Sequence, residues 1–436
     1  MSGPAICFYG DDFTGASENL AQFHKHGLRC RLYFEPADPQ RVRAEAAELD
    51  VIGIAGVARS RAPDQMRLLL GDAFRLFGSL GTRLNQFKIC STFDSAPQTG
   101  NFSVAIAEAL KVWPEALLPV LPATPDFGRY TAFANHFSRH RGEILRLDRN
   151  PALVEHPSTP MNEADLRRHL ANLGVEATAA IMLPELGQDR EALARLIEQR
   201  GAGAVPVVLD TVDNAQLGHV SRAIWQLAAR RDVFSLAAQG LPQGLGGAVA
   251  AHLGRSAELS SGRVQDGPGL VLSGSCSAQT AVQLAAAEAA GWTLMHLPIE
   301  RLTSSDDAQR AVAAVAPTMV AALRAGRSTA VFTARGEVTQ AFDLARAPSV
   351  GLALAELFRQ AVGEAGLRRV IFAGGDSSSF AMRSCGAYAL EIAASSGQQA
   401  SHVCALLADD ELNGVEVVLK GGQAGSDRFF LDPMSG

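Results

Sequence analysis

Apolar positions along the chain fall into short β-rich runs separated by longer Ala- and Leu-rich stretches. The runs Ala5–Tyr9, Val51–Ala55, Phe87–Cys90, Leu118–Leu121, Ala179–Leu183, Val205–Leu209, Val233–Leu236, Leu270–Leu272, Thr329–Phe332 and Arg369–Ala373 have the length and apolar continuity of buried strands. Stretches between them, such as Ala105–Val112 and Thr280–Ala290, have helical length and composition, and Ala16, Leu20 and Phe23 recur on one helical face. This alternation predicts the α/β class, with mostly parallel sheets flanked by helices. Ligands of such sheets bind beyond the carboxyl ends of the strands. A polar, Gly- and Ser-rich segment, Arg255–Pro268, interrupts the pattern and predicts two domains, residues 1–255 and 268–436. Each opens with a strand that runs into a polar loop. No internal repeat or low-complexity segment is visible.

The first loop, Gly10-Asp11-Asp12-Phe13-Thr14-Gly15, places adjacent carboxylates between a strand and a helix. One acid there caps a helix; a pair also suits general-base work on a hydroxyl, or cation binding. The second, Lys88-Ile89-Cys90-Ser91-Thr92-Phe93-Asp94-Ser95, puts a strand lysine ahead of hydroxyls and a carboxylate. Lys88 there is either a snorkelling strand lysine or a charge that neutralises an anionic substrate, with Asp94 and Ser95 binding hydroxyls. Arg59 and Arg129 occupy comparable loop positions, although either read alone is more often a solvated surface arginine.

In the second half, Ser273-Gly274-Ser275-Cys276-Ser277 and Gly374-Gly375-Asp376-Ser377-Ser378-Ser379 are small-residue loops leading into helices. Free N–H groups and the dipole at a helix start favour phosphate. Lys420-Gly421-Gly422-Gln423-Ala424-Gly425 adds a third loop of this type.

Composition narrows the class. Glycine, 41 residues, is about 9% of the chain against a typical ~7%, as expected where backbone must approach backbone or ligand closely. With 39 Lys and Arg against 45 Asp and Glu, the net charge is −6. Nothing therefore marks a nucleic-acid binder. No apolar stretch is long enough to predict a membrane span. The six cysteines, Cys7, Cys30, Cys90, Cys276, Cys385 and Cys404, have no CxxC or zinc spacing. With no segment that reads as a signal peptide, they are expected to be reduced thiols of a cytoplasmic protein.

Several motifs fail. No GxxxxGK[ST] is present, and Gly244-Leu245-Gly246 lacks the third glycine of a dinucleotide fingerprint, Val249 standing in its place. Gly274-Ser275-Cys276-Ser277-Ala278 has the outline of a cysteine nucleophile elbow, although a small packed thiol explains it equally. His136 and His140, four apart with no acid to complete a zinc set, are expected on one face of a helix.

These residues resemble the four-carbon acid sugar kinases, ATP-dependent enzymes that phosphorylate acids such as threonate, erythronate, 3-oxo-tetronate and 3-oxo-isoapionate. The resemblance covers essentially the whole chain. Gly10–Gly15 resembles the family's DDFTG opening, and Lys88 with Ser91-Thr92-Phe93-Asp94-Ser95 resembles K-x-x-STFDS, followed by Gly100-Asn101. Gly128-Arg129, Pro160-Met161 and Asp210 fall at similar landmarks. Ser273–Ser277 resembles SGSCS, and Gly374-Gly375-Asp376 resembles the start of GGDTSG. The sequence departs from the pattern at Glu18, where Asp is usual, at Ser377-Ser378-Ser379, at Ala237-Ala238-Gln239-Gly240, and after Lys420, an ending similar to the 3-oxo-isoapionate kinase branch.

The resemblance implies two α/β domains, the first holding the acid sugar and the second ATP, with the active site in the cleft between them. It implies Asp12, or Asp11 as second choice, as the base that takes the hydroxyl proton. Asp11, Asp12, Arg59, Lys88 and Asp94 are implied to face the sugar acid; Ser95 and Arg129 are added as substrate-binding candidates from their loop positions, and Lys88 and Arg59 are expected on the carboxylate. Ser275, Gly374, Gly375, Asp376, Ser377, Gly421 and Gly422 are implied to contact ATP, whose phosphates Mg²⁺ bridges. The expected partners are a small sugar acid and ATP, with a homodimer as an option and no nucleic acid or membrane. A cysteine hydrolase built on Cys276 and a non-catalytic acid-sugar binder are the alternatives.

Overall fold

The computed structural model describes residues 3–156, 158–187, 189–257, 267–302, 304–336, 347–395, 402–421 and 424–432. The chain forms two compact units, Met1–Glu258 and Leu259–Gly436.

The first unit carries parallel strands β1 (Ile6–Gly10), β2 (Cys30–Phe34), β3 (Val51–Ala55), β4 (Leu84–Lys88) and β5 (Leu118–Leu121). A separate antiparallel hairpin sheet follows, β6 (Arg129–Ala132), β7 (Asn135–His140) and β8 (Glu143–Arg146). The parallel sheet is completed by β9 (Ala179–Ile181), β10 (Pro206–Leu209) and β11 (Val233–Ala237). Its strand order is β2-β3-β1-β4-β11-β5-β10-β9. The chain leaves β1 toward β2 on one side, and leaves β4 toward β5 on the other. These neighbouring strands therefore form a switch point, where diverging loops leave a crevice beyond the strand ends. Gly10 is paired with both Ala55 and Lys88, so the three loops that follow start at the same level.

The second unit contains β12 (Leu270–Ser273), β13 (Thr293–His296), β14 (Thr329–Phe332), β15 (Arg369–Ala373), β16 (Ala389–Ser395), β17 (His402–Leu407) and β18 (Glu416–Lys420). Their order is β13-β14-β12-β15-β18-β17-β16. Here β12 leads to β13 on one side and β15 to β16 on the other, a second switch point wound in the same sense of strand order as the first. The pairs around β12, β15 and β18 are parallel, and β16-β17-β18 turns antiparallel.

Local chemistry explains the boundaries. The helix Pro63–Leu80 starts with proline at its first position and ends at Gly81, which takes φ 66. Asn101 caps the helix Phe102–Val112 through Ser103 N–H. The first core is aromatic, with Tyr9, Phe74, Phe87, Trp113 and Phe234 in mutual contact. The second packs the aliphatic Val271, Leu284, Ile371 and Val418 against Phe332, Phe429 and Phe430.

The expected helix around His136 and His140 is corrected: both lie in β7. Phe133 and Ala134, with φ 51 and 60, form a two-residue turn that pairs Ala132 with Asn135 and sets a period of two. β4 begins three residues before its expected start, because Asn85 and Gln86 enter the sheet with partners. Gln86 accepts from Asn19 at 3.1 Å and donates to the Ala237 carbonyl at 2.9 Å, and Asn85 accepts from Thr82 at 2.6 Å.

Candidate functional site

At the first switch point, Asp12 caps the helix Phe13–His24, its Oδ1 accepting from Gly15 N–H at 2.7 Å. Asp11 is buried, 1% exposed. Its carboxylate receives Arg59 Nε and Nη2 at 3.0 and 2.9 Å, and the Cys90 N–H at 3.2 Å. Arg59 Nη1 reaches Asp12 Oδ2 at 2.6 Å, so one guanidinium ties both acids together. Backbone bonds hold the loops in place: Asp11 N–H donates to the Lys88 carbonyl at 3.0 Å, and Arg59 N–H to the Asp11 carbonyl at 3.1 Å.

Lys88, 2% exposed at the end of β4, sets its Nζ 3.8 Å from Asp11 Oδ1 and 3.7 Å from Asp12 Oδ1. The ammonium fits because residue 15 is glycine; a Cβ there would collide with Lys88 Nζ and Asp12 Oδ1. Burial alone would lower the lysine, but Asp12 and Asp11 carry it above its ordinary value. Burial also pushes Asp12 up, yet Arg59, Lys88 and the Gly15 N–H carry it below the ordinary carboxylate range. Asp11, more deeply placed, is pushed up by burial against the pull of the same cations. Asp12 is the accessible member, its side chain 31% exposed.

The structure brings Asp11, Asp12, Arg59 and Lys88 together. Asp94 is half-buried in the loop after β4 and acts electrostatically on Arg59, Cys90 and Arg129. Arg129 begins β6 and donates to the Phe127 and Gly128 carbonyls at 3.0 and 3.3 Å. Its Nε is buried without a hydrogen-bond partner, and it has no ion pair among the described residues. Ser95 is turned away: its hydroxyl contacts His169 Nε2 at 2.8 Å and the Phe93 carbonyl at 3.0 Å. Glu18, on the same helix as Asp12, is raised by burial and by Asp12, against Lys88 and Arg59.

At the second switch point the materials differ. Ser277 caps the helix Ala278–Ala289 through Thr280 N–H at 3.1 Å, and Ser275 Oγ accepts from Ser277 N–H at 3.2 Å. Gly274 N–H donates to the Ala373 carbonyl, and Gly374 N–H to the Lys420 carbonyl, both at 2.9 Å, stitching the loops after β12, β15 and β18 side by side. Gly374 takes φ 121 at the start of the helix Gly375–Ser384. A Cβ on Gly274 or Gly374 would strike Ser377 Oγ, which is wedged between them. The hydroxyls of Ser377 and Ser378 are buried without partners among the described residues. Among the described residues, a Cβ on Gly375 or Gly421 would meet nothing within 4 Å. Asp376 lies in the first turn of that helix; Gly422 falls outside the described residues. Cys276 is half-buried, and burial pushes its thiol up, the wrong direction for a thiolate nucleophile.

Sequence reasoning passed over the side chain of Lys420 and its partner Thr280. The available signal was a lysine closing an apolar strand, EVVLK, as Lys88 closes LNQFK. Among the described residues no group of three or more acidic, His or Cys side chains is placed to hold a metal ion, and no helix is long and apolar enough to cross a membrane.

A family described as a sugar-binding N-terminal domain matches residues 6–245, and one described as a nucleotide-binding C-terminal domain matches residues 270–430. The chain is 33% identical to a 3-oxo-isoapionate kinase of Paraburkholderia graminis, over 98% of this chain and 94% of that protein. It is 31% identical to a 3-oxo-tetronate kinase of Methylobacterium radiotolerans, over 86% of each. Crystal structures from Salmonella typhimurium LT2 and Haemophilus influenzae share the fold, with TM-scores of 0.76 and 0.70 at 22% and 20% identity. The first alignment covers 98% of both chains; the second covers 97% of this chain and 98% of the other. The chain belongs to the four-carbon acid sugar kinase family.

Proposed function

We propose, with that membership as premise, that the charged cluster of the first unit binds a small sugar acid and activates one of its hydroxyls. The loops at 273–277, 374–377 and 420–421 receive ATP. The observation that carries this reading is Asp12, a partly exposed carboxylate held ionised beside Arg59 and Lys88 at a switch point. Phosphoryl transfer asks for positioning and charge compensation more than covalent chemistry. Asp12 takes the hydroxyl proton as that oxygen attacks the γ-phosphate. Asp11 is occupied on three N–H donors and serves to hold Arg59.

Arg59 and Lys88 are already neutralised by the two aspartates, so we assign the substrate carboxylate to Arg129, whose Nε is buried without a partner. Asp94 stands electrostatically between Arg59 and Arg129 and suits a substrate hydroxyl. Ser95 is assigned to bracing His169 rather than to the acid.

In the second unit, Gly375 and Gly421 are glycine without any demand from packing among the described residues or from positive φ, which fits close approach of phosphate to backbone. The donors that remain are N–H groups and the hydroxyls of Ser275, Ser377 and Ser378. Mg²⁺ is assigned to the phosphate oxygens it accompanies, as is usual for nucleotide-bound magnesium, since the described side chains build no cage of their own. We place the enzyme in the cytoplasm, where ATP is supplied. The first acid to try is 3-oxo-isoapionate, the substrate in the name of the relative at 33% identity.

A coupled assay of ADP release over a panel of four-carbon and branched five-carbon sugar acids tests the reading. Stimulation by at least one acid, lost on Asp12→Asn with acid binding retained, is expected. ATP turnover unaffected by every acid, or a fully active Asp12→Asn variant, overturns it.

A further inference from the structure

Lys420 closes β18 at 1% exposure, a buried cation for which the roles above give no use. Its Nζ lies 3.0 Å from Thr280 Oγ1 and 5.8 Å from the centroid of the Phe430 ring. Thr280 Oγ1 is 2.9 Å from Ser275 Oγ and 2.9 Å from Ser277 Oγ, and those two serine oxygens are 3.2 Å apart. Three hydroxyls thus form a closed ring, and the lysine feeds one member of it.

An ammonium has protons to give and no lone pair to accept with. Lys420 therefore donates to Thr280, whose hydroxyl in turn donates to Ser275 Oγ. Ser277 also donates to Thr280. The Ser275 oxygen then holds the Thr280 proton and the Ser277 N–H. Its own proton is turned to Ser277 and is available to an incoming acceptor. The backbone of the same residue acts on the neighbouring loop, the Lys420 carbonyl accepting from Gly374 N–H at 2.9 Å. One residue therefore touches both loops, through its side chain on one and its carbonyl on the other.

We propose that Lys420 is a positioning residue of the nucleotide loops. Through Thr280 it sets the direction of the Ser275–Ser277–Thr280 ring, so that Ser275 offers its proton to a phosphate oxygen. This rests on the assignment of the second unit to ATP. Burial without a compensating gain would disfavour a lysine here, and it brings the ammonium down to about 8. A methionine would fill the same space without the charge.

The test is direct binding of MgATP and ADP by calorimetry to the full-length protein and to Lys420→Met, Thr280→Val and the double variant. Steady-state constants, sugar-acid affinity and melting temperature are measured on the same samples. Lys420→Met is expected to raise the nucleotide Kd and the KM for ATP roughly tenfold or more. Acid affinity should be unchanged and Tm equal or higher. Thr280→Val should move nucleotide binding in the same direction, and the double variant should be no worse than the weaker single one. Lys420→Gln, also neutral and unbranched, serves if the methionine variant does not fold. Wild-type nucleotide affinity in Lys420→Met overturns the proposal, as does wild-type affinity in Thr280→Val when Lys420→Met binds weakly. A wild-type protein that binds no nucleotide overturns the ATP assignment along with it, so the two failures are told apart.

Discussion

The sheets of the two units open with the same strand order, second-third-first-fourth in their own chain sequence, and each places its polar loops where the first and fourth strands diverge. In both, a glycine soon after the first strand makes room for a side chain from the fourth strand or the helix that follows it: Gly15 for Lys88, Gly274 for Ser377. The contents differ completely. The first loop set is built from charged side chains that pair with one another over long sequence separations, such as Asp11 with Arg59 and Lys88. The second is built from hydroxyls, N–H groups and glycines, with one buried ammonium behind them. A winding pattern dictates where a site forms; the loop residues alone decide what it holds.

The largest break in that contrast should come from Asp12→Asn, predicted to lower kcat by about 10²–10⁴ while sugar-acid affinity stays within a few-fold. Because its neighbours hold the Asp12 carboxyl low, the group is charged throughout the neutral range. Its contribution to stability and activity should persist at neutral pH and fade only as pH drops through that depressed value, which a pH–rate profile checks. Gly15→Ala should displace Lys88 and cost on the order of 10² in kcat/KM, the usual penalty for misplacing a site group by about an ångström. Arg129→Met should raise the KM for the acid about 10- to 100-fold at nearly constant kcat, as loss of charge-assisted hydrogen bonds implies. Ser377→Ala should reverse sign between assays. Removing an unpartnered buried hydroxyl should raise unliganded stability by about 1 kcal/mol in a denaturant melt, yet weaken nucleotide binding several-fold. Cys276→Ala should be the smallest, with activity unchanged and stability within about 0.5 kcal/mol; lost turnover there would contradict the hydroxyl-built description of the loop.

The parallel core was legible because its strands are short apolar runs bounded by polar loops, as at AICFY and RVIFA. What escaped was structure whose pattern is set by pairing. The β6–β8 hairpin turns at Phe133-Ala134, residues with no turn signature, whose left-handed backbone is held by Asp210 accepting both their N–H groups at 2.6 and 2.9 Å. β13 is only half-covered, so THR-LEU-MET-HIS carries no apolar run. At the site, residue types and loop positions were readable, but partners were not. That Arg59 would join Asp11 to Asp12, or that Ser95 would face His169, depends on contacts across 48 and 74 positions of sequence.

The bridging of two aspartates by one arginine, with a lysine close behind, has an effect beyond geometry. Two positive and two negative charges packed this tightly cancel at a distance, so the cluster projects little field past a Debye length of about 8 Å at physiological salt. An approaching anion is then neither drawn in nor repelled by these four groups from afar. Discrimination among acids falls to the moment of contact, and these four groups should add little ionic-strength dependence to the capture of the acid.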